Sequence, residues 1–286
     1  MDVYSLFPGI EIIYNDFAMT ACDCTLQVYG SLLEINYCYA GRQECQWLCG
    51  DHLYLGAGDL CITRMENNFT AMQFPTGRYR GLTVVLDMAL LAQTPLTFLD
   101  TALPPVTDFP DKFCPEHHFF AVRANKQLAH IFAELDALPQ EAQSLYAKLK
   151  IAELLLFLHL LDPQKEHRLE IMRQGQIETI KAVRQTLGAD LTQDLTIDQL
   201  ARQFCLSPTA LKTSFKAVCG CSIKDYQRQL RMEQAAALLR TSGQTIAAIA
   251  EQVGYANQSK FAAAFKNHCG LSPTQYRAKC QHPLRS

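Results

Sequence analysis

Two sets of small polar and basic side chains recur fifty residues apart late in the sequence: Thr209, Lys212, Thr213 and Lys216, then Gln258, Ser259, Ala262, Ala263 and Lys266. Each set falls outward on a helical pattern whose inner residues are Leu211 and Phe215 in the first copy and Phe261 and Phe265 in the second. Side chains of these types on an exposed helix face can donate and accept hydrogen bonds. Gln258 suits a bidentate pair with adenine, and Lys212 can reach guanine or a phosphate. Lys216, Lys266 and Arg228 suit phosphates, which position a protein on a duplex without reading sequence. Ala262 and Ala263 offer little beyond methyl contacts to thymine, so the first set is expected to dominate specificity. The alternative is that both alanines pack inside and the phase is shifted by one residue.

Cysteine is the other reactive type, with 12 in the chain. The spacings Cys22-x-Cys24, Cys45-x3-Cys49 and Cys219-x-Cys221 form no paired C-x2-C knuckles, and no H-x3-H follows at finger spacing. Reduced thiols acting as small buried hydrophobes are the expected state, with Cys45 and Cys49 the pair closest to a redox or metal role. Residues 1–116 hold a single histidine, His52. No G-x-S-x-G, P-loop or Rossmann fingerprint occurs, so no catalytic residue, cofactor or metal ligand is assigned.

The outward sets need elements that hold them. Thr196-Ile197-Asp198-Gln199 is a capping box opening a helix with Ile197, Leu200, Ala201 and Phe204 inward. After a break at Cys205-Leu206, Ser207-Pro208 supplies an N-cap with proline at the first helical position. The pattern returns with Ile246, Ile249, Ala250 and Val253 at an offset of 49, then at an offset of 50 from Leu211 with Phe261 to Tyr226 with Tyr276. Between the copies, Ser222-x-x-Asp225 opens a long helix that stops at Gly243. A rigid helix there can set two recognition helices roughly 34 Å, one duplex turn, apart.

Charge supports a polyanion partner for this end. The 286-residue chain has a net charge of −2, but residues 1–174 hold 12 basic and 21 acidic side chains (−9) and residues 175–286 hold 14 and 7 (+7), which sum to −2. The length fits about two domains. Hydrophobic residues at 49% and charged residues at 19% exclude disorder, collagen and coiled-coil rods. Met1–Ser5 opens no secretory signal, and the apolar run Leu154–Leu161 falls far short of a bilayer span, so a cytoplasmic protein without membrane contact is expected.

The first half reads as β. Leu32–Tyr39 leads into Ala40-Gly41, Leu53–Leu55 into Gly56–Asp59, and Leu60–Arg64 and Gly81–Asp87 are further strands, which suggests an antiparallel sandwich or barrel. From roughly Pro115 to Asp162 the chain favours helix. Residues 143–161 are apolar nearly all round. Either that helix is buried within its own domain, or one side packs on the sheet and the other on a second copy of the chain. Among the strands Glu34, Asn36, Tyr37 and Trp47 are candidate effector contacts, although alternation alone does not say which face is inward.

Gly254-Tyr255-Ala256-Asn257-Gln258-Ser259-Lys260-Phe261, followed by Phe265-Lys266, Gly270, Ser272-Pro273 and Tyr276-Arg277, resembles the C-terminal signature of the AraC/XylS family of bacterial transcription regulators over roughly residues 175–280. The resemblance implies an α+β chain: an N-terminal antiparallel, cupin-like β-barrel with helices, then an all-α domain with two helix-turn-helix motifs. The expected boundaries are 1–162 for effector binding and dimerisation (barrel about 10–110, helices about 115–162), a linker at 163–176, and 177–286 for DNA binding, with motifs at 196–217 and 245–267. The family's base-reading positions fall on Thr209, Lys212 and Thr213. The implied partners are double-stranded promoter DNA, a small-molecule effector, RNA polymerase, and a second copy of the chain through helix 143–161. Two other functions compete: a nonspecific architectural DNA-binding protein, and a metal-dependent cupin enzyme, against which the lone His52 speaks.

Overall fold

Alternation along one long strand organises the first half of the protein. A computed structural model describes residues 2–22, 31–47, 50–65, 69–94, 96–98, 101–115, 119–137 and 143–281. The chain divides into two units, Met1–Arg173 and Gln174–Ser286. The first contains β1 (Asp2–Phe7), β2 (Ile10–Phe17), β3 (Ala21–Cys22), β4 (Leu32–Trp47), β5 (Asp51–Gly56), β6 (Asp59–Arg64), β7 (Phe69–Gln73) and β8 (Tyr79–Asp87). It continues through α1 (Met88–Gln93), β9 (Thr97–Phe98), β10 (Thr101–Ala102), α2 (Phe109–Phe113), β11 (Phe120–Arg123), α3 (Lys126–Asp136), α4 (Gln143–Leu160) and β12 (Met172–Arg173).

Strand β4 belongs to two antiparallel layers. Its first half lies between β8 and β6, giving the order β1-β2-β8-β4-β6-β11; its second half lies between β5 and β7, giving β12-β5-β4-β7-β3. Ala40-Gly41, which reads as a turn in the sequence, is instead the point where the strand crosses between layers, at a bulge between Cys38 and Ala40. Gly41 has φ +84°, and a Cβ there would sit 2.0 Å from the Arg78 carbonyl oxygen, so only glycine lets the two backbones approach. No pairing among the described residues closes the layers into a ring.

Leu33, Ile35 and Tyr37 on β4, with Leu60, Ile62, Leu82, Val84 and Leu86 beside them, form one core with Phe132 and Leu135 of α3 and Ile151, Leu154 and Leu158 of α4. The opposite face carries Glu34, Asn36 and Cys38. Two differences from the sequence reading follow from the same packing. Strand β1 precedes the expected start near residue 10 and pairs with β2. Residues 120–123, expected as helix, are strand, because Phe120 and Val122 alternate into the core while their backbone pairs with β6.

Helix α4 is asymmetric. Ile151, Leu154, Leu155 and Leu158 are fully buried, whereas Leu145, Leu149, Leu156 and Leu160 are 63, 45, 45 and 75% exposed along one stripe. After α4 the chain crosses the segment expected as a linker. Within it Leu169 N–H donates to the Ala121 carbonyl at 2.7 Å, Arg168 bridges to Val122, and Met172 and Arg173 pair with His52 and Asp51.

The second unit comprises α5 (Gln174–Ala189), α6 (Ile197–Gln203), α7 (Pro208–Cys219), α8 (Ile223–Thr241), α9 (Ile246–Gln252), α10 (Gln258–Cys269) and α11 (Pro273–Gln281). The 19 residues of α8 span about 28 Å at 1.5 Å per residue. Ile180, Val183, Leu200, Leu211 and Phe215 are buried around α6 and α7, and Met232, Leu239, Ile249, Val253, Phe261 and Phe265 form the core around α9 and α10.

Candidate nucleic-acid interface

The repeat extends from side chains into backbone hydrogen bonds. Thr196 and Thr245 cap α6 and α9, accepting from the N–H groups of Gln199 at 3.2 Å and Ala248 at 3.1 Å. In the first copy the Gln199 side chain returns the bond to Thr196 N–H, completing the capping box. Ser207 and Asn257 cap α7 and α10 through Ala210 and Lys260 N–H. Gly220 and Gly270 end those helices in the left-handed conformation, φ +78° and +73°. The turns match too: Leu206 N–H donates to the Ala201 carbonyl and Tyr255 N–H to the Ala250 carbonyl, both at 2.8 Å.

These caps fix where α7 and α10 begin, and hence which residues face out. Thr209, Lys212, Thr213 and Lys216 are all exposed along one side of α7, opposite the buried Leu211 and Phe215. On α10, Gln258, Ser259, Ala263 and Lys266 are exposed and Ala262 is half-buried, so the alternative phase with both alanines inside does not describe the helix. Among the described residues, Lys212, Lys216 and Lys266 take part in no ion pair. Arg228 does: it pairs with Asp225 one turn earlier on α8. Exposed pairs of this kind are worth little, so Arg228 can exchange its partner. Lys260, exposed in the first turn of α10, is a further cation on this side. The repeat alignment passes over it because its counterpart is Ala210.

One guanidinium joins the two copies. Arg231 of α8 donates through Nε to the Leu191 carbonyl at 2.8 Å and through Nη2 to Asp194 at 2.8 Å, and it lies 5.9 Å from the centre of the Tyr255 ring. Leu191 and Asp194 precede the first motif; Tyr255 sits in the turn of the second. Gly254, φ +83°, lies under this junction, where a Cβ would stand 2.4 Å from the Leu191 carbonyl oxygen and 3.1 Å from the Arg231 guanidinium. The equivalent residue in the first turn is Cys205, also left-handed at φ +54° but a cysteine. Phe215 and Phe265 each receive a tyrosine edge, from Tyr226 and Tyr276, whose hydroxyls accept from Arg184 and Arg240.

The candidate effector residues are not brought together as one set. Glu34 and Asn36 share the face away from the helices. Tyr37 points to the opposite face, stacked on Phe132 at 4.2 Å. Trp47 is on the same face as Asn36, but it is 5% exposed and stacked on Phe119 in a cluster with Cys45, Leu53, Leu55 and Cys61. Burial pushes the Glu34 carboxyl up to about 7 and the Cys61 thiol well above its ordinary value. Cys45 is buried and Cys49 lies outside the described residues. Among the described residues no three His, Cys, Asp or Glu side chains are placed to hold a metal ion, and no helix is long and apolar enough to cross a membrane.

Residues 200–279 match the family model of a helix-turn-helix domain. The arabinose operon regulatory protein of Escherichia coli (strain K12) is 34% identical over 88 residues, covering 31% of this chain and 30% of that protein. The HTH-type transcriptional activator RhaR of Pectobacterium atrosepticum is 30% identical over 148 residues, 51% of this chain and 52% of its own length. The solved C-terminal domain of AraT, a response regulator from Geobacillus stearothermophilus, is 37% identical, with a TM-score of 0.34, covering 35% of this chain and 84% of that one. The chain thus spans about a third to a half of the length of these curated relatives.

The junction gives a direct stability test. Gly254→Ala is expected to destabilise the helical unit by about 2 kcal/mol or more, combining the left-handed backbone cost with displacement of the Leu191 carbonyl. Cys205→Gly should stay within about 1 kcal/mol of the parent, because it removes strain but adds unfolded-state freedom. Urea unfolding of both variants checks this, and a Gly254→Ala protein as stable as the parent would contradict the junction.

Proposed function

We propose that the chain is a member of the AraC/XylS family of transcription regulators, a sequence-specific DNA-binding regulator controlled by a small molecule held in its N-terminal unit; the helix-turn-helix match and the regulator relatives of its C-terminal unit support this reading. The observation that carries this reading is the duplicated motif: two capped helices, each with one exposed polar and basic face, joined through α8 and Arg231. In this reading α7 and α10 enter successive major grooves. Thr209, Lys212 and Thr213 read bases from α7 and Gln258 with Ser259 from α10, with methyl contacts from Ala262 and Ala263. Lys216, Lys266 and Arg228 hold phosphates.

The N-terminal layers are proposed as a cupin-like effector barrel, with Glu34 and Asn36 as the inward candidates. Effector binding would shift the population of chains able to span both grooves. Residues 163–173 are laid along β11 and β5, which gives such a signal a route as far as the end of the first unit. The exposed leucine stripe of α4 is proposed as the seam between two copies of the chain: four leucines spaced over four turns suit an antiparallel helix pair. RNA polymerase is the further partner proposed.

DNA fragments selected from the source genome, compared with scrambled duplexes by fluorescence anisotropy at two salt concentrations, test the function. The parent should discriminate, with log affinity falling linearly in log salt. Lys212→Ala with Thr213→Ala should lower the preference for the selected site by roughly 10- to 100-fold, the scale of one good base contact. A parent that shows the salt slope without discrimination would instead be a nonspecific architectural protein. The seam is checked by sedimentation: Leu149→Glu with Leu156→Glu should convert a dimer to a monomer, and a parent that is already monomeric at micromolar concentration would exclude it.

A further inference from the structure

Strand register places two cross-sheet rows on the face of β4 that points away from the helices. Glu11 of β2, Val85 of β8, Glu34 of β4 and Thr63 of β6 form one row, and Ile13, Thr83, Asn36 and Cys61 form the next. Neither row contains a lysine or arginine. The neutral polar groups here are already engaged. Asn15 donates to Thr83 at 3.0 Å, Asn36 donates to Gln43 at 3.0 Å and accepts from the Tyr79 hydroxyl at 2.8 Å, and Gln43 donates to the Cys45 sulfur at 3.3 Å. Glu34 differs: among the described residues its carboxyl makes no hydrogen bond and no ion pair. It is half-buried, as are Val85 directly beside it and Ile13 two strands away in the next row, and Glu11 at the end of its row is exposed.

A carboxylate partly withdrawn from bulk water without a counter-charge is unfavourable, and among the described residues the fold offers it none. A second carboxylate two strands away, about 10 Å at the usual strand spacing, adds negative potential rather than relieving it. We propose that this face binds a small organic cation, with its protonated nitrogen seated on the Glu34 carboxylate, its remaining donors within reach of the Thr63 hydroxyl, and its apolar part against Ile13 and Val85. Burial raises the Glu34 carboxyl, and a cation paired with it would oppose that rise. The proposal names the chemical class of the effector and rests on the regulator reading only for the use made of the binding.

Trp47, the single tryptophan of the chain, lies on the same face and gives a local fluorescence signal. The probes are benzylamine, benzamidine and 3,3-dimethylbutylamine, set against the neutral isosteres benzyl alcohol, benzamide and 3,3-dimethylbutanol and the anion benzoate. Thermal shift and Trp47 fluorescence are read on the full chain. At least one cation should bind at millimolar concentration or below, at least tenfold more tightly than its isostere. Glu34→Gln should abolish that preference, and Glu34→Asp should keep part of it. Equal binding of neutral or anionic probes, no binding by any cation, or unchanged affinity in Glu34→Gln would overturn the proposal. If Glu34→Gln does not fold, the cation-to-isostere ratio in the parent decides. Operator discrimination is measured on the same samples, so failure of the regulator reading appears there even when cation binding is intact.

Discussion

The Arg231 guanidinium is the interaction on which the second unit depends. A side chain on the central helix reaches the carbonyl of Leu191 and the carboxylate of Asp194 ahead of one motif and the Tyr255 ring in the turn of the other. Its side chain is only 12% exposed while Asp194 is 87% exposed, so the buried bond to the Leu191 carbonyl matters more than the ion pair. The contact requires residue 254 to lack a side chain. Two helix-turn-helix motifs joined only by a helix could twist independently; this junction holds the second turn against the segment that leads into the first.

The first unit rests on a different constraint, the two-residue period of β4. In its first half one parity, Leu33, Ile35 and Tyr37, is apolar and packs on α3 and α4, and the other, with Glu34 and Asn36, faces away from them. A shift by one residue would place Glu34 and Asn36 in the helix-packed core, so the register is strongly specified. The same alternation places a carboxylate in a pair of cross-sheet rows that hold no lysine or arginine, with Arg123 on that face paired to Asp59, which links a folding constraint to the chemistry available for ligand recognition.

The helical unit was the more legible half because its signals are local. Caps, inward hydrophobic residues and C-terminal glycines lie within a few residues of one another, and duplication repeats them. What the sequence hid there was the Arg231 junction, whose partners lie about forty residues upstream and twenty-four downstream, and Lys260, whose counterpart in the repeat is alanine. In the first unit the strands around Leu53–Leu55, Leu60–Arg64 and Gly81–Asp87 could be read, but β11 could not. Four residues between helical segments become strand only because β6 offers an edge. The inward face was also illegible, since Leu33, Ile35 and Tyr37 are distinguished from Glu34 and Asn36 by where α3 and α4 pack. Tyr37 and Trp47 illustrate this: the sequence does not show that Tyr37 stacks on Phe132 on the helix side while Trp47 stacks on Phe119 on the other face.

The central claim is that one rigid body presents two recognition helices to the same side of a duplex. Guanine-methylation interference on a selected binding site tests it most directly. The account predicts two clusters of interfering major-groove positions centred about 10 base pairs apart on one face of the helix. A single cluster, or two clusters on opposite faces, would contradict it.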